Sequence, residues 1–306
     1  MPATVAPAVI ALSFDPVLSV GGLAVRWETI GIAVAILVAL VAAARAVVRT
    51  PLLGGGGRLR RDDLLFIAVG STAGAVAGGR IGYVLLRLDF YRTNPNAILD
   101  PASGGFELSI GLIGGVLAGL TVAALLEGGV RRWAHAAPIP LLLGLAVGKA
   151  ALALGGTGQG APTDVSWATA YTGPGPWGSL APSVPSHPAQ LYEAAEYVIA
   201  LLVVALASGA EPFRRRDGRL LSLALVLVAL VRFGVAFAWR DPGYVGPFRA
   251  EHALAVGLLV VGLVSWPVAA RAAARHPYGP PPEAEPSASW PEPGIAGRWR
   301  KTPDGR

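Results

Sequence analysis

Three basic residues stand where a soluble protein would not put them. Arg80, Lys149 and Arg232 each lie inside an apolar run of membrane-spanning length. A cation in hydrocarbon is costly, so it is rare there and normally has a partner or a task. The opposite charge comes from one stretch, 187–197, which reads HPAQLYEAAEY. His187, Gln190, Glu193 and Tyr197 fall at i, i+3, i+6 and i+10, a polar face on an otherwise apolar helix. Glu28 enters the first apolar run at the same end. Cations gathered in an apolar setting repel one another, so the chemistry this pattern supports is the holding of an anion, with carboxylates to orient the cations.

Each residue also has a plainer structural reading. Arg80 and Arg232 are shallow enough to snorkel outward and hold helices in register. Glu193 would serve as an ion-pair partner for an arginine, and His187 at a helix start would be a hydrogen-bonded boundary residue as readily as a base. Lys149 resists such a reading, because it is mid-span and Lys301 is the one other lysine.

The elements that must position these residues follow from composition. Of 306 residues 53% are hydrophobic and 14% charged, and the mean hydropathy is +0.55, which excludes an ordinary soluble domain. There is no cysteine, so a disulfide framework, a thiolate metal site and a protein-borne thiol nucleophile are all excluded. The net charge of +6 sits mainly in loops and reads as topology signal, not as a nucleic-acid footprint. Apolar runs at 29–48, 64–86, 109–127, 137–155, 189–208, 219–239 and 251–270 predict an all-α integral membrane protein with seven transmembrane helices. Arg45, Arg49, Arg58, Arg60 and Arg61 crowd the first loop, Arg131 and Arg132 the third, and Arg214, Arg215, Arg216 and Arg219 the fifth, whereas 155–187 has no Lys or Arg. The positive-inside rule therefore puts the N-terminus outside and the C-terminus in the cytoplasm.

In that frame Arg80 lies roughly 9 Å from the outer end of its span, and Lys149 and Arg232 lie on the order of 10 Å deep, at 1.5 Å per residue. The three are expected to converge on one outer-leaflet cavity faced by Glu193. Gly70, Gly74, Gly78 and Gly82 recur every four residues as a packing stripe, and Gly111, Gly115 and Gly119 offer a matching surface. The segment 14–27 predicts an extended external piece with a turn at Gly21–Gly22. Residues 155–187 predict a small external cap or lid. The membrane domain is expected over 1–275, with 276–306 as a disordered cytoplasmic tail.

These motifs, taken in order, resemble the prolipoprotein diacylglyceryl transferase family over about residues 14–266. The resemblance is carried by FDPVLSVGGLAVRW at 14–27, GGRIGYV at 78–84, GGFELSIGLIGG at 104–115, the segment 144–160, HPAQLYE at 187–193, and Arg232 with Phe237. It implies a multi-pass enzyme of the bacterial plasma membrane that moves a diacylglyceryl group from phosphatidylglycerol to the thiol of a lipobox cysteine. The products are a thioether and glycerol phosphate. No metal or redox cofactor is implied, and a monomer is expected. The implied roles are phosphate binding for Arg80, Lys149 and Arg232, and orientation of those cations or of the glycerol for Glu193, Gln190 and Tyr192. Ser109 and Gly160 are expected to line the substrate site, and His187 and Glu28 are the candidate bases.

The chain departs from the family pattern at Glu28 for a tyrosine, Ser109 and Ile110 for His-Gly, Lys149 for an arginine, Leu152 for an asparagine and 155–157 for Asn-Gly-Glu. Further along, Ala236 replaces a glutamate, and the arginine beyond it is Trp239 or a displaced Arg240. A second reading is therefore a relative that binds anionic phospholipid or lipoprotein signal segments without turnover. A transporter finds no support, since the halves show no inverted repeat.

Overall fold

A computed structural model describes residues 9–49, 61–100, 104–126 and 129–275 of the chain. The expected tail at 276–306, and Arg58 and Arg60 of the first loop, lie outside them. Among the described residues seven helical spans are long and apolar enough to cross a membrane. They are built from α1 (Trp27–Arg49), α2 (Arg61–Leu86), α4 (Leu108–Leu125), α5 with α6 (Val130–Ala136 and Pro138–Leu152), α7 (Ala189–Ala207), α8 (Arg219–Val235) and α9 (Ala250–Arg275). A short helix, α3 (Leu88–Thr93), follows α2. Large apolar side chains such as Leu37, Phe66, Ile199, Leu202 and Leu206 face outward, as a hydrocarbon solvent allows and water would not.

The fourth span begins earlier than expected. Arg131 and Arg132 belong to α5 and not to a loop, and Arg132 is buried. Pro138 sits at the first position of α6, where the missing N–H does no harm, so the helix restarts there.

The glycine stripe of α2 packs on α4. A Cβ on Gly78 would come within 2.5 Å of the Ile110 carbonyl oxygen, and Gly74 faces the Gly114 backbone and Ala118. Backbones this close leave no room for side chains, which draws the start of α4 onto the end of α2. Gly111, Gly115 and Gly119 face α2 at Ala75, Gly79 and Ser71.

Among the described residues four short strands lie at the end of the bundle where α6 stops and α7 starts. The strands β2 (Val17–Val20) and β3 (Leu23–Arg26) form an antiparallel hairpin whose turn residues Gly21 and Gly22 both have positive φ, at 57° and 85°. The strands β1 (Ile10–Leu12) and β4 (Thr169–Tyr171) pair in parallel, Ile10 opposite Thr169, which ties the N-terminal segment to the loop 155–187. That loop is a folded cap. Gln159 donates to the Thr169 carbonyl at 2.9 Å, the His187 N–H donates to Ala161 at 2.9 Å, and Trp177 packs edge-on against Phe14 at 5.2 Å.

Candidate functional site

The start of α7 turns Gln190, Glu193 and Tyr197 inward, and all three are fully buried. Glu193 receives two cations from two neighbouring helices. The Lys149 ammonium of α6 forms an ion pair with Oε2, and Arg232 Nη1 of α8 donates to Oε1 at 2.9 Å. Arg232 also reaches a second carboxylate, Glu107, whose Oε1 accepts from Nη2 at 3.3 Å. Glu107 caps α4 and accepts from the backbone N–H groups of Ser109 at 2.8 Å and Ile110 at 2.7 Å. An acidic cap is favoured at a helix N-terminus, where orphan N–H groups and the helix dipole both seek negative charge. The Trp239 ring lies within 5.4 Å of the Lys149 nitrogen and 5.8 Å of the Arg232 guanidinium carbon.

Two cations and two carboxylates thus form one buried cluster between α4, α6, α7 and α8. Buried ion pairs hold only where each charge is matched and the remaining polar atoms are satisfied. Here several are not satisfied within the protein. Arg232 Nε, the Tyr197 hydroxyl, the Ser109 hydroxyl and Gln190 Oε1 are buried and have no hydrogen-bond partner among the described residues. Native structures rarely leave such groups without a reason, and a polar ligand is one. On α4, Gly111 follows Glu107 at i+4, and Gly148 precedes Lys149 on α6. Both border a cavity of about 460 Å³ between α1, α2, α4 and α6, whose other walls include Ile32, Ala39 and Leu120. The cleft is mainly apolar and runs beside the cluster, whose four charged side chains are not among its walls.

Arg80 does not join this cluster, which corrects the expected threefold convergence. Its Nε donates to the Ile98 carbonyl at 2.6 Å, and Nη2 donates to Ala97 at 2.6 Å and Asp100 at 2.8 Å. The chain after α3 makes a 3-10 turn at Pro95–Ile98 and folds back over the end of α2, which presents turn carbonyls to the guanidinium. The side chain also lies over the rings of Tyr91 and Tyr83, at 5.5 and 5.9 Å. Arg80 lies six residues before the end of α2, whereas Lys149 and Arg232 each lie three before the ends of α6 and α8, and the donors of Arg80 go to the turn after α3 and not to Glu193.

Glu28 is engaged elsewhere too. Its Oε2 accepts from Arg26 at 3.1 Å and from the Thr157 hydroxyl at 2.8 Å, joining α1 to the cap. His187 Nδ1 lies 3.2 Å from the Tyr192 hydroxyl, which itself accepts from the Trp167 indole at 2.6 Å. The Tyr192 oxygen has two lone pairs, so besides the Trp167 indole it can accept from a proton on Nδ1, an arrangement that leaves the Nε2 lone pair of His187 free. Gln190 donates to the Tyr171 hydroxyl at 2.8 Å. Burial in the cap pushes the Tyr171 phenol up to about 12, partly offset by that bond, so it stays protonated at neutral pH. Gly160 is a backbone crossing point, where its N–H donates to the His187 carbonyl at 2.7 Å and its own carbonyl accepts from Arg240 at 3.2 Å.

Sequence reasoning passed over Glu107 and undervalued Trp239. Glu107 lies two residues ahead of the predicted span, just outside the window in which charge looked costly. The signal that would have found it is an acidic residue directly before an apolar helix. No comparable signal marks Trp239, whose place over the cations depends on the chain turning after the 3-10 segment Ala236–Ala238.

A family model described as prolipoprotein diacylglyceryl transferase matches residues 16–268. Among curated relatives, the protein of Geobacter sulfurreducens is 29% identical over 256 residues, covering 81% of this chain and 93% of its own. That of Rhodopseudomonas palustris is 29% identical over 268 residues, covering 82% and 88%. That of Cupriavidus necator is 31% identical over 246 residues, covering 76% and 83%. Each of the three is named phosphatidylglycerol–prolipoprotein diacylglyceryl transferase.

Proposed function

The chain belongs to the prolipoprotein diacylglyceryl transferase family, and from that premise we propose that it transfers diacylglyceryl from phosphatidylglycerol to a lipobox cysteine thiol. It is a multi-pass protein of the bacterial inner membrane. In the proposed reaction the substrate's thiolate sulfur attacks the diacylglyceryl carbon that bears the phosphate ester. The carbon–sulfur bond forms, the carbon–oxygen bond breaks, and glycerol phosphate leaves with the electron pair. The thiol proton passes to a base of the enzyme or, in the end, to the phosphate.

The observation that carries this reading is the buried Lys149–Glu193–Arg232–Glu107 cluster, with an apolar cleft that reaches Gly111 and Gly148 beside it. Arg232 and Lys149 take the phosphate and stabilise the charge that develops as the ester oxygen leaves. Arg232 does so through Nε, the donor that no group among the described residues uses. Glu193 and Glu107 keep the guanidinium plane in place, and the cleft beside the cluster receives acyl chains. Arg80 acts at one remove, by holding the Ala97, Ile98 and Asp100 carbonyls. Of the two candidate bases, Glu28 is committed to Arg26 and Thr157, which leaves His187, oriented by Tyr192, the better placed. The cap end then faces outside and the C-terminus the cytoplasm, in line with the arginines at the far end.

The test is mass spectrometry of a lipobox peptide incubated with the purified protein in phosphatidylglycerol vesicles. A gain of one diacylglyceryl group on the cysteine peptide, absent on a serine control, is the expected result. Phosphatidylglycerol binding with no mass gain would replace this reading with the non-catalytic one.

A further inference from the structure

At the opposite end of the bundle the structure holds a second concave cluster of charge. A cavity of about 360 Å³ opens between α5, α8 and α9, lined by Arg131, Arg215, Arg219 and Asp217, with Ala270 and Ala274 of α9 as one wall. Asp217, the one carboxylate in that lining, is buried and already committed. Its Oδ2 accepts from Arg219 Nε at 2.8 Å and pairs with Nη2 at 2.6 Å, while Oδ1 accepts the Arg219 backbone N–H at 3.2 Å. Arg215 stands on the rim with its side chain 72% exposed, where its Nε lies 3.6 Å from the exposed Glu211. Among the described residues, three guanidinium groups and one carboxylate line the cavity, with Glu211 beside Arg215 at its rim.

This is not part of the site around Glu193. Arg219 and Arg232 are the two ends of α8, thirteen residues and so roughly 20 Å apart at 1.5 Å per residue. Its level in the membrane is marked by an aromatic residue. Trp266 lies 5.8 Å under the Arg219 guanidinium and 5.3 Å edge-on from Phe213, and tryptophan favours the headgroup level. From there an apolar track leads inward. Val260, Leu263, Pro267, Ala270 and Ala274 recur at helical spacing along one side of α9, with Val260 52% and Leu263 56% exposed.

We propose that this cavity binds the phosphate of an anionic phospholipid in the leaflet at the α5–α8–α9 end, with the acyl chains lying along the Val260–Leu263 track of α9. Arginine forks match phosphate oxygens, and basic pockets between membrane helices select acidic headgroups. A soluble anion would be held by the guanidiniums alone and would have no use for the apolar track. The bound lipid braces α9 against α5 and α8 on the side away from the reaction. The proposal stands on the fold and does not depend on turnover at Glu193.

The experiment counts lipid retained by the detergent-purified full chain in native mass spectrometry as phosphatidylglycerol is titrated. Arg215→Gln, at an exposed side chain, is compared with the parent and with the double variant Arg131→Gln, Arg215→Gln. The parent is expected to hold one more phosphatidylglycerol than the double variant. For that lipid the single variant is expected to need roughly tenfold more, the scale of one lost charge-assisted hydrogen bond. Phosphatidylcholine should show no difference among the three, and transfer to a lipobox peptide should be unchanged in Arg215→Gln. Equal phosphatidylglycerol retention by all three proteins would overturn the proposal. So would displacement of the variant-sensitive lipid by millimolar inorganic phosphate, which would mark a site for free anions. Binding that emerges only after removal of 276–306 would also overturn it, by assigning the cavity to the acidic residues of that segment.

Discussion

Arg232 is the residue on which the cluster depends, because one guanidinium serves two carboxylates from different helices. Replacing it with alanine leaves Glu193 buried with Lys149 as its remaining ion-pair partner and takes the Arg232 ion pair from the buried Glu107. An uncompensated buried charge typically costs about 3–5 kcal/mol, so Arg232→Ala should lower the unfolding free energy in detergent by that order and abolish transfer. Arg232→Lys should recover part of the stability and little of the activity, since an ammonium cannot span both partners as a planar fork does. A thermal midpoint for the lysine variant equal to that of the alanine variant would show that charge at this position contributes nothing. Glu107→Gln offers a milder cut. It keeps one acceptor for the α4 cap but gives up the ion pair and turns an NH2 group toward an N–H, at a cost of about 1–3 kcal/mol. Activity should fall more than stability if Glu107 aims Arg232. A variant with parental kcat would remove Glu107 from the site.

At the scale of elements, the α2–α4 contact sets where Glu107 lies. Its backbone N–H donates to the Gly79 carbonyl at 2.9 Å, and Gly82 leaves room for its side chain. Gly78→Ala should push the helices apart at Ile110, costing about 1–3 kcal/mol of overpacking and moving the α4 cap away from Arg232. Gly257→Ala is the matched control, because a Cβ there meets nothing within 4 Å and alanine is the better helix former by about 0.5–1 kcal/mol. Thermal unfolding of the two variants side by side decides the matter, and equal effects would mean that the close approach is not what orders this end. The cap belongs to the same scale. The β1–β4 pairing and the Gly160–His187 backbone bond make the N-terminal segment and the loop 155–187 one unit, so His187 is positioned from both sides of the sequence.

For the whole molecule, the positive-inside rule predicts that the cap end faces outside. The chain has no native cysteine, so Leu180→Cys, at a cap position 93% exposed, gives a single reporter. It should react with an impermeant maleimide added to intact spheroplasts. Labelling only after permeabilisation would invert the orientation and place the Glu193 cluster toward the cytoplasm. Deletion of 276–306 should leave insertion and transfer unchanged, because a segment of this Pro-, Ala- and Glu-rich composition has little apolar surface to bury. Loss of the folded protein on deletion would show that the segment packs on the bundle.

Seven spans, the Gly21–Gly22 hairpin turn and the start of α7 at residue 189 were legible in the sequence alone, since each follows from a one-dimensional constraint. A helix must match the hydrocarbon thickness, a tight turn needs positive φ, and a proline suits a first turn. The cost of a charge in hydrocarbon likewise singled out Lys149, Arg232 and Glu193, which the fold brings together. Position around the helix axis was not legible, because it depends on which neighbour packs against which face. For that reason Arg80, also a cation inside a span, bonds turn carbonyls, while Glu107, from just outside a span, completes the cluster. The parallel pairing of Ile10 with Thr169 joins segments remote in sequence, and no local pattern announces it. Depth and length are properties of a single helix and can be counted along the chain; convergence belongs to pairs of helices, and only their packing decides it.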